Sequence, residues 1–171
     1  MSDFRTLVVY FSRGGNSRKV AEEIARSLGG ADLEEIRDTV NRKGLLGWIR
    51  SGRDAMKRRV TKLMPSTRDV RDYDLIVVGG PVWFSALSSP VRTWLRTHST
   101  ELRAVAFFLT HGGTARDEVF GMMQAESRIA PRAVLSVREK ELGKAETSVR
   151  IASFATELRN AMAASRTTAP A

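Results

Sequence analysis

Short apolar runs alternate with amphipathic segments along most of this chain, and this alternation restricts the fold more than any other feature. Five runs predict β-strands, at residues 7–11, 32–36, 75–78, 105–109 and 133–137. The first, third and fourth runs are almost continuously apolar, which is typical of parallel strands covered on both faces. Segments with apolar residues at helical spacing lie at 17–28, 90–97, 117–127 and 147–163. The sequence therefore predicts an α/β fold with a doubly wound parallel sheet.

The length and composition indicate one domain without disulfides. Of the 171 residues, we expect 1–163 to form a single domain and 164–171 to form a flexible tail. The chain has no cysteine, which excludes disulfides, thiolate nucleophiles, iron–sulfur clusters and cysteine zinc sites. Its two histidines, His98 and His111, lie thirteen positions apart, so we expect no metal site.

The start of the sequence and its hydropathy indicate a cytoplasmic protein. The chain enters its first predicted strand directly after "MSDF", a start that is typical of proteins without a signal peptide. No stretch approaches the ~20 consecutive apolar residues that a membrane-spanning helix needs. We therefore expect the cytoplasm as its location.

The positive charge of the chain is concentrated in residues 37–66, which we call the basic insertion. This segment holds nine lysines and arginines against two aspartates, and so carries +7 of the net charge of +9. Within it, residues 44–60 show helical spacing, with one apolar stripe of Leu45, Ile49, Gly52, Met56 and Val60.

Three interpretations of this predicted helix remain open. The one we favour is an ordinary amphipathic helix that covers the sheet and exposes a solvated basic face. The second is docking of an acidic redox partner or an anionic substrate. The third is attachment of residues 42–62 to an anionic membrane surface. Nucleic-acid binding is not expected, because no recognised module or interleaved aromatic pattern is present.

Polar residues and glycines fill the turn between the first strand and the first helix. They are Ser12, Arg13, Gly14, Gly15, Asn16 and Ser17. A helix N-terminus offers unpaired N–H groups, and glycines let an anion approach them, so this turn could hold a phosphate. The alternative is that Asn16 or Ser17 simply caps the helix. The glycine spacing matches neither the dinucleotide-binding nor the P-loop motif.

The turn after the third strand, residues 79–90, carries two adjacent aromatic residues. Along this turn lie Pro81, Val82, Trp83, Phe84 and Ser85. An aromatic surface beside polar groups suits a flat heteroaromatic ligand. The alternative that one ring packs into the core remains open for Phe84.

A third glycine-containing turn follows the fourth strand. Its candidate binding residues are Thr110, His111, Gly112 and Gly113. For His111 we favour a solvated turn position over a role in proton transfer. Because the carboxyl ends of parallel strands meet at one edge of a sheet, the three turns should line a single ligand site.

Three segments of the chain resemble the flavodoxin-like FMN proteins, over roughly residues 6–158. They are "VVYFSRGGNSRKVAEEIA", "YDLIVVGGPVWFSALSSPVRTWL" and "AFFLTHGGT", of which the second is the most specific. The uninterrupted last strand is similar to that of short-chain members. The resemblance implies five parallel strands in the order 2-1-3-4-5 with helices on both faces, flavodoxin being itself the standard example of this topology.

The resemblance also implies FMN as the cofactor. Residues 12–17 would hold its phosphate, and residues 81–85 and 110–113 would border its isoalloxazine ring, with Trp83 in contact with the ring. Three features depart from the family. The third turn lacks an aromatic residue that often covers the second flavin face, the chain is basic where small flavodoxins are usually acidic, and the segment between strands two and three is long.

The function implied by the resemblance is FMN-dependent electron transfer. The protein could carry electrons to a redox partner, or act as an enzyme that passes reducing equivalents from NAD(P)H to a quinone. In both cases the flavin supplies the redox chemistry, so no dedicated catalytic residue is expected. The alternative is a flavin-free binding protein of the same fold that uses the basic insertion to dock an anionic partner or membrane surface.

Overall fold

A computed structural model of the chain describes residues 4–40, 44–113 and 116–167. The strands are β1 (Thr6–Tyr10), β2 (Asp32–Glu35), β3 (Leu75–Trp83), β4 (Ala86–Leu87), β5 (Val105–His111) and β6 (Val134–Arg138). The helices are α1 (Asn16–Ser27), α2 (Gly44–Met56), α3 (Ser89–His98), α4 (Arg116–Ser127) and α5 (Ala145–Thr167). The last helix thus continues beyond residue 163, where the sequence pattern placed its end.

Five of the strands form one parallel sheet in the order β2-β1-β3-β5-β6. This arrangement confirms the predicted order of the five predicted strands. The addition is β4, a two-residue strand that pairs antiparallel with the end of β3. The switch in strand order lies between β1 and β3, so a crevice is expected at their carboxyl ends.

Alternate residues of each central strand face opposite sides of the sheet, and helices cover both sides. On one side, Val8, Val77 and Phe108 pack with the apolar stripes of α1 and α5. On the other side, Val9, Val78 and Leu109 pack with α3 and α4. The continuous apolar runs of the sequence are explained by this burial on both faces.

β3 is longer than its apolar run predicts, and this changes the interpretation of the turn that follows. Gly79 and Gly80 pair with β5, and a Cβ on Gly79 would lie 2.3 Å from the ring of Phe108. The strand reaches Trp83, which is buried and packs edge-on against Phe11 with ring centroids 5.5 Å apart. Of the two adjacent aromatics, Trp83 therefore packs into the core and Phe84 is exposed, whereas the sequence left core packing open for Phe84.

The basic insertion begins and ends side by side. The amide of Met64 donates to the carbonyl of Arg37 at 2.8 Å, and the amide of Thr39 donates to the carbonyl of Lys62 at 3.1 Å. An antiparallel bridge joins Asp38 and Leu63 between them. The segment is therefore a closed excursion from the edge of the sheet beyond β2.

The favoured interpretation of α2 as an ordinary amphipathic helix is wrong. Ile49, Met56 and Val60, expected on the covered stripe, are exposed, and Gly52 alone of the described stripe residues is buried. The ring of Phe84 covers Gly52, since a Cβ there would lie 2.3 Å from that ring. The side chain of Leu45 and residues 41–43 lie outside the described part of the chain.

Candidate functional site

A cleft of about 300 Å³ opens at the carboxyl edge of the sheet. Residues from all three predicted turns line it, together with one residue that follows β6: Ser12, Arg13, Gly14, Asn16, Ser17, Pro81, Val82, Trp83, Thr110, Gly112 and Glu139. Gly15, Phe84, Ser85, His111 and Gly113 belong to the same turns but do not line this cleft. The three turns therefore meet at one edge of the sheet, as expected for the carboxyl ends of parallel strands.

The first turn presents the start of α1 to the cleft. Gly15 precedes the helix with a φ of 93°, and its amide donates to the Ser12 hydroxyl at 3.0 Å. No side chain of the described residues caps α1, and its first turn contains no acidic residue. The alternative that Asn16 or Ser17 acts as a simple cap is therefore not what the structure shows, and the helix start suits an anion.

Two glycines from different turns leave room against the backbone in the cleft. A Cβ built on Gly14 or on Gly112 would have no described heavy atom within 4 Å. Both residues line the cleft, so this open space belongs to it. A ligand could therefore approach the main chain at both turns more closely than a side chain would permit.

A pair of hydroxyl groups joins the first and third turns. The Ser17 and Thr110 side-chain oxygens lie 2.7 Å apart, and both residues are buried. A hydroxyl can donate one hydrogen bond and accept two, so each retains capacity for a ligand in the cleft. The pair also fixes the start of α1 against the end of β5.

His111 is buried, so its prediction as a solvated turn residue is wrong. β5 continues through His111 instead of ending at residue 109, and the side chain is 2% exposed. Its Nε2 lies 2.8 Å from the Ser136 hydroxyl on β6. The histidine therefore links two strands rather than lining the cleft.

The two adjacent aromatics serve different surfaces. Trp83 lines the cleft although most of its surface is buried, and its contact with a ligand remains a prediction. Phe84 turns away toward α2 and lines a separate groove with Ile49 and Met56. Phe84 and Ser85 do not line the cleft. Their predicted contact with a bound ligand remains a proposal.

Glu139 is a cleft residue that the sequence reasoning did not find. It directly follows β6 and begins a short 3-10 turn, Glu139–Glu141. The rule that placed the other turns at the carboxyl edge applies equally to the residue after the last strand. Glu139 thus adds a negative charge to the lining of the cleft, to which Arg13 adds a positive one.

The charged residues at the start of α1 divide between the cleft and the neighbouring strand. Arg13 is exposed and lines the cleft. Arg18 donates to the Glu35 carboxylate at 2.6 Å, and this hydrogen bond raises the pKa of Arg18. Burial, and then the charge of Glu35, raises the pKa of the nearby Tyr10 phenol. The cation at Arg18 is therefore compensated within the protein, while Arg13 faces the cleft.

Other kinds of site are not found among the described residues. Within 4–40, 44–113 and 116–167, no three histidine, cysteine, aspartate or glutamate residues cluster as metal ligands would. None of the helices described is both long enough and apolar enough to cross a bilayer.

The sequence model of the family described as Flavodoxin matches residues 5–136 of the chain. This span contains β1 through most of β6 and all three turns of the cleft. No curated protein matches the chain in sequence.

Solved structures of flavin proteins share the fold. A flavoprotein in complex with FMN from Lactobacillus acidophilus NCFM is 23% identical, with a TM-score of 0.68 over 82% of this chain and 97% of that one. A flavodoxin from the domain Archaea is 13% identical, with a TM-score of 0.55 over 93% and 99%. Rubredoxin oxygen:oxidoreductase from Desulfovibrio gigas is 13% identical, with a TM-score of 0.61 over 96% and 37%. At these identities the likeness establishes the fold alone.

Proposed function

We propose that this chain, which belongs to the flavodoxin family, binds FMN in the three-turn cleft and transfers electrons through it. The observation that carries the proposal is the uncapped start of α1 beside Gly14, where a phosphate would find open main-chain N–H groups. The size and polar lining of the cleft fit a phosphorylated ligand of this kind.

Each turn would have its own part in holding the cofactor. Residues 12–17 would bind the phosphate, with Arg13 adding a positive charge. Residues 81–85 and 110–113 would border the ring, with Trp83 as the nearest aromatic. When bound, FMN supplies the capacity to accept and donate electrons or hydride at its N5 atom, and the protein orients it.

Within this function we favour NAD(P)H-dependent reduction of a quinone. Of the described residues of the third turn, Thr110 and Gly112 line the cleft and neither has a bulky side chain, so we expect one face of a bound ring to stay accessible. A planar acceptor could then stack there. The positive charge of the basic insertion, close to Phe84, would attract an anionic donor such as NAD(P)H.

Titration of the purified protein with FMN tests the cofactor. We expect a yellow protein, or an apoprotein that takes up one equivalent of FMN with quenching of the flavin fluorescence. A colourless protein that takes up no FMN would contradict the proposal.

Mixing the FMN-loaded protein with NADPH and a soluble quinone tests the reaction. Turnover without an added reductase would support the enzyme. Turnover that requires an added reductase would contradict the quinone reductase and leave the role of an electron carrier.

The second candidate is a flavin-free protein of the same fold that docks an anionic partner through the basic insertion. The exposed apolar residues of α2 favour it, because a docking surface would cover them. Absence of FMN uptake together with specific binding of an anionic partner would support this candidate.

A further inference from the structure

Helix α2 turns its large apolar side chains toward solvent. Leu46 is 83% exposed, Ile49 52% and Met56 65%, and their spacing places them along one side of the helix. Phe84, 49% exposed, stands beside them. We call these four residues the apolar face. Helices on soluble proteins ordinarily place such a stripe toward the core, so this face is unusual.

The opposite side of α2 is built for close packing. Gly47 and Ser51 are buried there, and the Ser51 hydroxyl donates to the carbonyl of Gly47 at 2.6 Å. The ring of Phe84 occupies the space that a Cβ on Gly52 would need. Gly47 and Ser51 thus pack against the protein, while Gly52 lets the ring of Phe84 lie against the helix next to Ile49 and Met56.

The apolar face forms a shallow groove of about 470 Å³, lined by Ile49, Met56 and Phe84 with Gly52 at its base. Arg53 and Lys57 complete the lining. Single exposed apolar residues are common on soluble proteins, whereas a contiguous group of this kind marks a site of interaction.

Positive charge surrounds the groove. Arg53, Lys57, Arg58 and Arg59 are all exposed, while Asp54 is buried and forms an ion pair with Arg59 at 3.5 Å. The basic insertion as a whole carries a net charge of +7 from nine basic and two acidic residues. The partner of the apolar face must therefore tolerate apolar side chains and offer negative charge together.

We propose that the apolar face docks α2 in the plane of a membrane surface rich in anionic phospholipids. Leu46, Ile49 and Met56 would insert among the acyl chains, while the surrounding lysine and arginine side chains would pair with the headgroup phosphates. A second copy of the chain is disfavoured as the occupant, because it would bring the same positive charge to the contact. An acidic protein would satisfy the cations but would leave the protruding apolar side chains against polar groups.

This contact does not depend on the cofactor. The cleft and the apolar face have no lining residue in common, although Trp83 of the cleft and Phe84 of the apolar face are neighbours in the chain. Loss of lipid binding would therefore leave the proposed FMN function intact, and loss of FMN binding would leave the lipid contact intact.

Sedimentation of the full chain with lipid vesicles tests the proposal. We expect binding to vesicles of phosphatidylcholine mixed with phosphatidylglycerol, and none to vesicles of phosphatidylcholine alone. The double variant Ile49→Ser, Met56→Ser should lower the partition coefficient by about tenfold or more, because two apolar side chains no longer enter the bilayer. Val149→Ser, at a 65% exposed position on α5, is the matched control and should bind like the parent protein.

Charge reversal on α2 tests whether binding requires the positive charges around the groove. Arg53→Glu with Lys57→Glu should lower binding by about tenfold or more. Arg132→Glu with Lys144→Glu makes the same change in net charge at exposed positions outside the basic insertion, and should have a much smaller effect. Equal losses in the two double variants would overturn the proposal, because net charge alone would then explain the binding.

A fluorescent dye on a single cysteine reports whether that position enters the bilayer. This measurement does not rely on a double variant that could be less stable than the parent protein. The chain has no cysteine, so Ile49→Cys and Val149→Cys each accept one environment-sensitive dye. We expect a blue shift with anionic vesicles only at position 49. No shift at either position would overturn the proposal, as would a concentration-dependent dimer in sedimentation velocity that Ile49→Ser disperses. Binding to polyglutamate that withstands the apolar substitutions, without binding to vesicles, would identify an acidic protein as the partner instead.

Discussion

At Gly14 the main chain faces open cleft, and this makes the residue a selective probe of ligand binding. A Cβ there would meet no described heavy atom within 4 Å, and the φ of Gly14 lies outside the left-handed region that disfavours side chains. Gly14→Val should therefore fold normally. The valine side chain would occupy the space of the phosphate, and the loss of charge-assisted hydrogen bonds should weaken FMN binding by about a hundredfold or more, as measured by flavin fluorescence titration.

Gly121→Val supplies the control for this substitution. Gly121 lies on α4 and also has open space around its would-be Cβ, but it does not line the cleft. Its variant should bind FMN like the parent protein. Equal affinity of the Gly14 and Gly121 variants would refute the assignment of the first turn to the phosphate.

A buried arginine also depends on a single carboxylate. Arg92 on α3 is 2% exposed, and its guanidinium donates to the Glu126 carboxylate on α4 at 2.6 Å. Arg96 donates to the same carboxylate at 2.9 Å. Burial alone would raise the pKa of Glu126, but the hydrogen bonds from Arg96 and Arg92 outweigh it and lower this pKa below its ordinary value.

Glu126→Gln should destabilise the protein by about 2 kcal/mol or more at neutral pH, since Arg92 would keep its charge in a buried place without a counter-charge. Because the folded pKa of Glu126 is lowered, its contribution is complete above the ordinary glutamate pKa and is lost as the pH falls through the folded value. Urea unfolding across acidic pH should thus show the two proteins converging. A difference in unfolding free energy that stays constant down to the lowest pH would contradict this account.

Among the elements, the turn between β3 and β4 carries backbone strain. Phe84 and Ser85 have φ values of 50° and 57° and connect the paired residues Trp83 and Ala86. Two-residue hairpin turns with positive φ at both positions prefer asparagine and glycine. The presence of phenylalanine there indicates that its side chain is kept for a purpose other than the turn.

Ser85→Gly should relieve part of this strain. We expect a rise in unfolding free energy of about 0.5–1 kcal/mol in urea titrations, because glycine adopts positive φ without the steric cost of a Cβ. Ser99→Gly is the matched control, since Ser99 has a φ of −55° and should gain nothing. Equal effects of the two substitutions would show that the turn is not strained.

The lengths of strands explain why some site residues could be predicted and others could not. The turns after β1, β3 and β5 were placed at one edge because parallel strands end together, and the cleft contains residues from all three. Trp83 and His111 were misplaced because β3 and β5 extend beyond their apolar runs. Those extensions depend on pairing with neighbouring strands, as between Pro81 and Thr110, which a local pattern does not record.

Helix α2 shows a different limit of sequence patterns. Its apolar periodicity correctly indicated a helix, but periodicity does not state which side of a helix faces the protein. The inner side carries the buried residues Gly47 and Ser51, which are not part of the apolar stripe. Glu139 could have been predicted from the sequence, because the residue after the last parallel strand also lies at the carboxyl edge of the sheet.

Over the whole molecule, the cleft and the basic insertion are separate units of the structure. The cleft is formed by the turns that follow β1, β3, β5 and β6, and none of its lining residues comes from 37–66. At the base of the insertion, the Thr39 hydroxyl donates to the carbonyl of Lys62 at 2.8 Å, and the Thr61 hydroxyl donates to the Asp38 carboxylate at 2.7 Å.

Replacement of residues 41–60 by Asn-Gly should therefore preserve the domain. The pairing around Asp38 and Leu63 would continue into a two-residue hairpin turn of a favoured type. We expect a cooperative thermal transition and an FMN affinity within about tenfold of the parent protein, because the phosphate turn is untouched. A shortened protein with no cooperative transition would show that α2 is part of the core.

The adjoining ends of the excursion also have a consequence for how such a protein can change over generations. A segment whose two attachment points already touch can lengthen, shrink or be exchanged for another without shifting a single neighbouring strand. The basic insertion could therefore change in length or sequence over generations without altering the strands and turns that form the cleft.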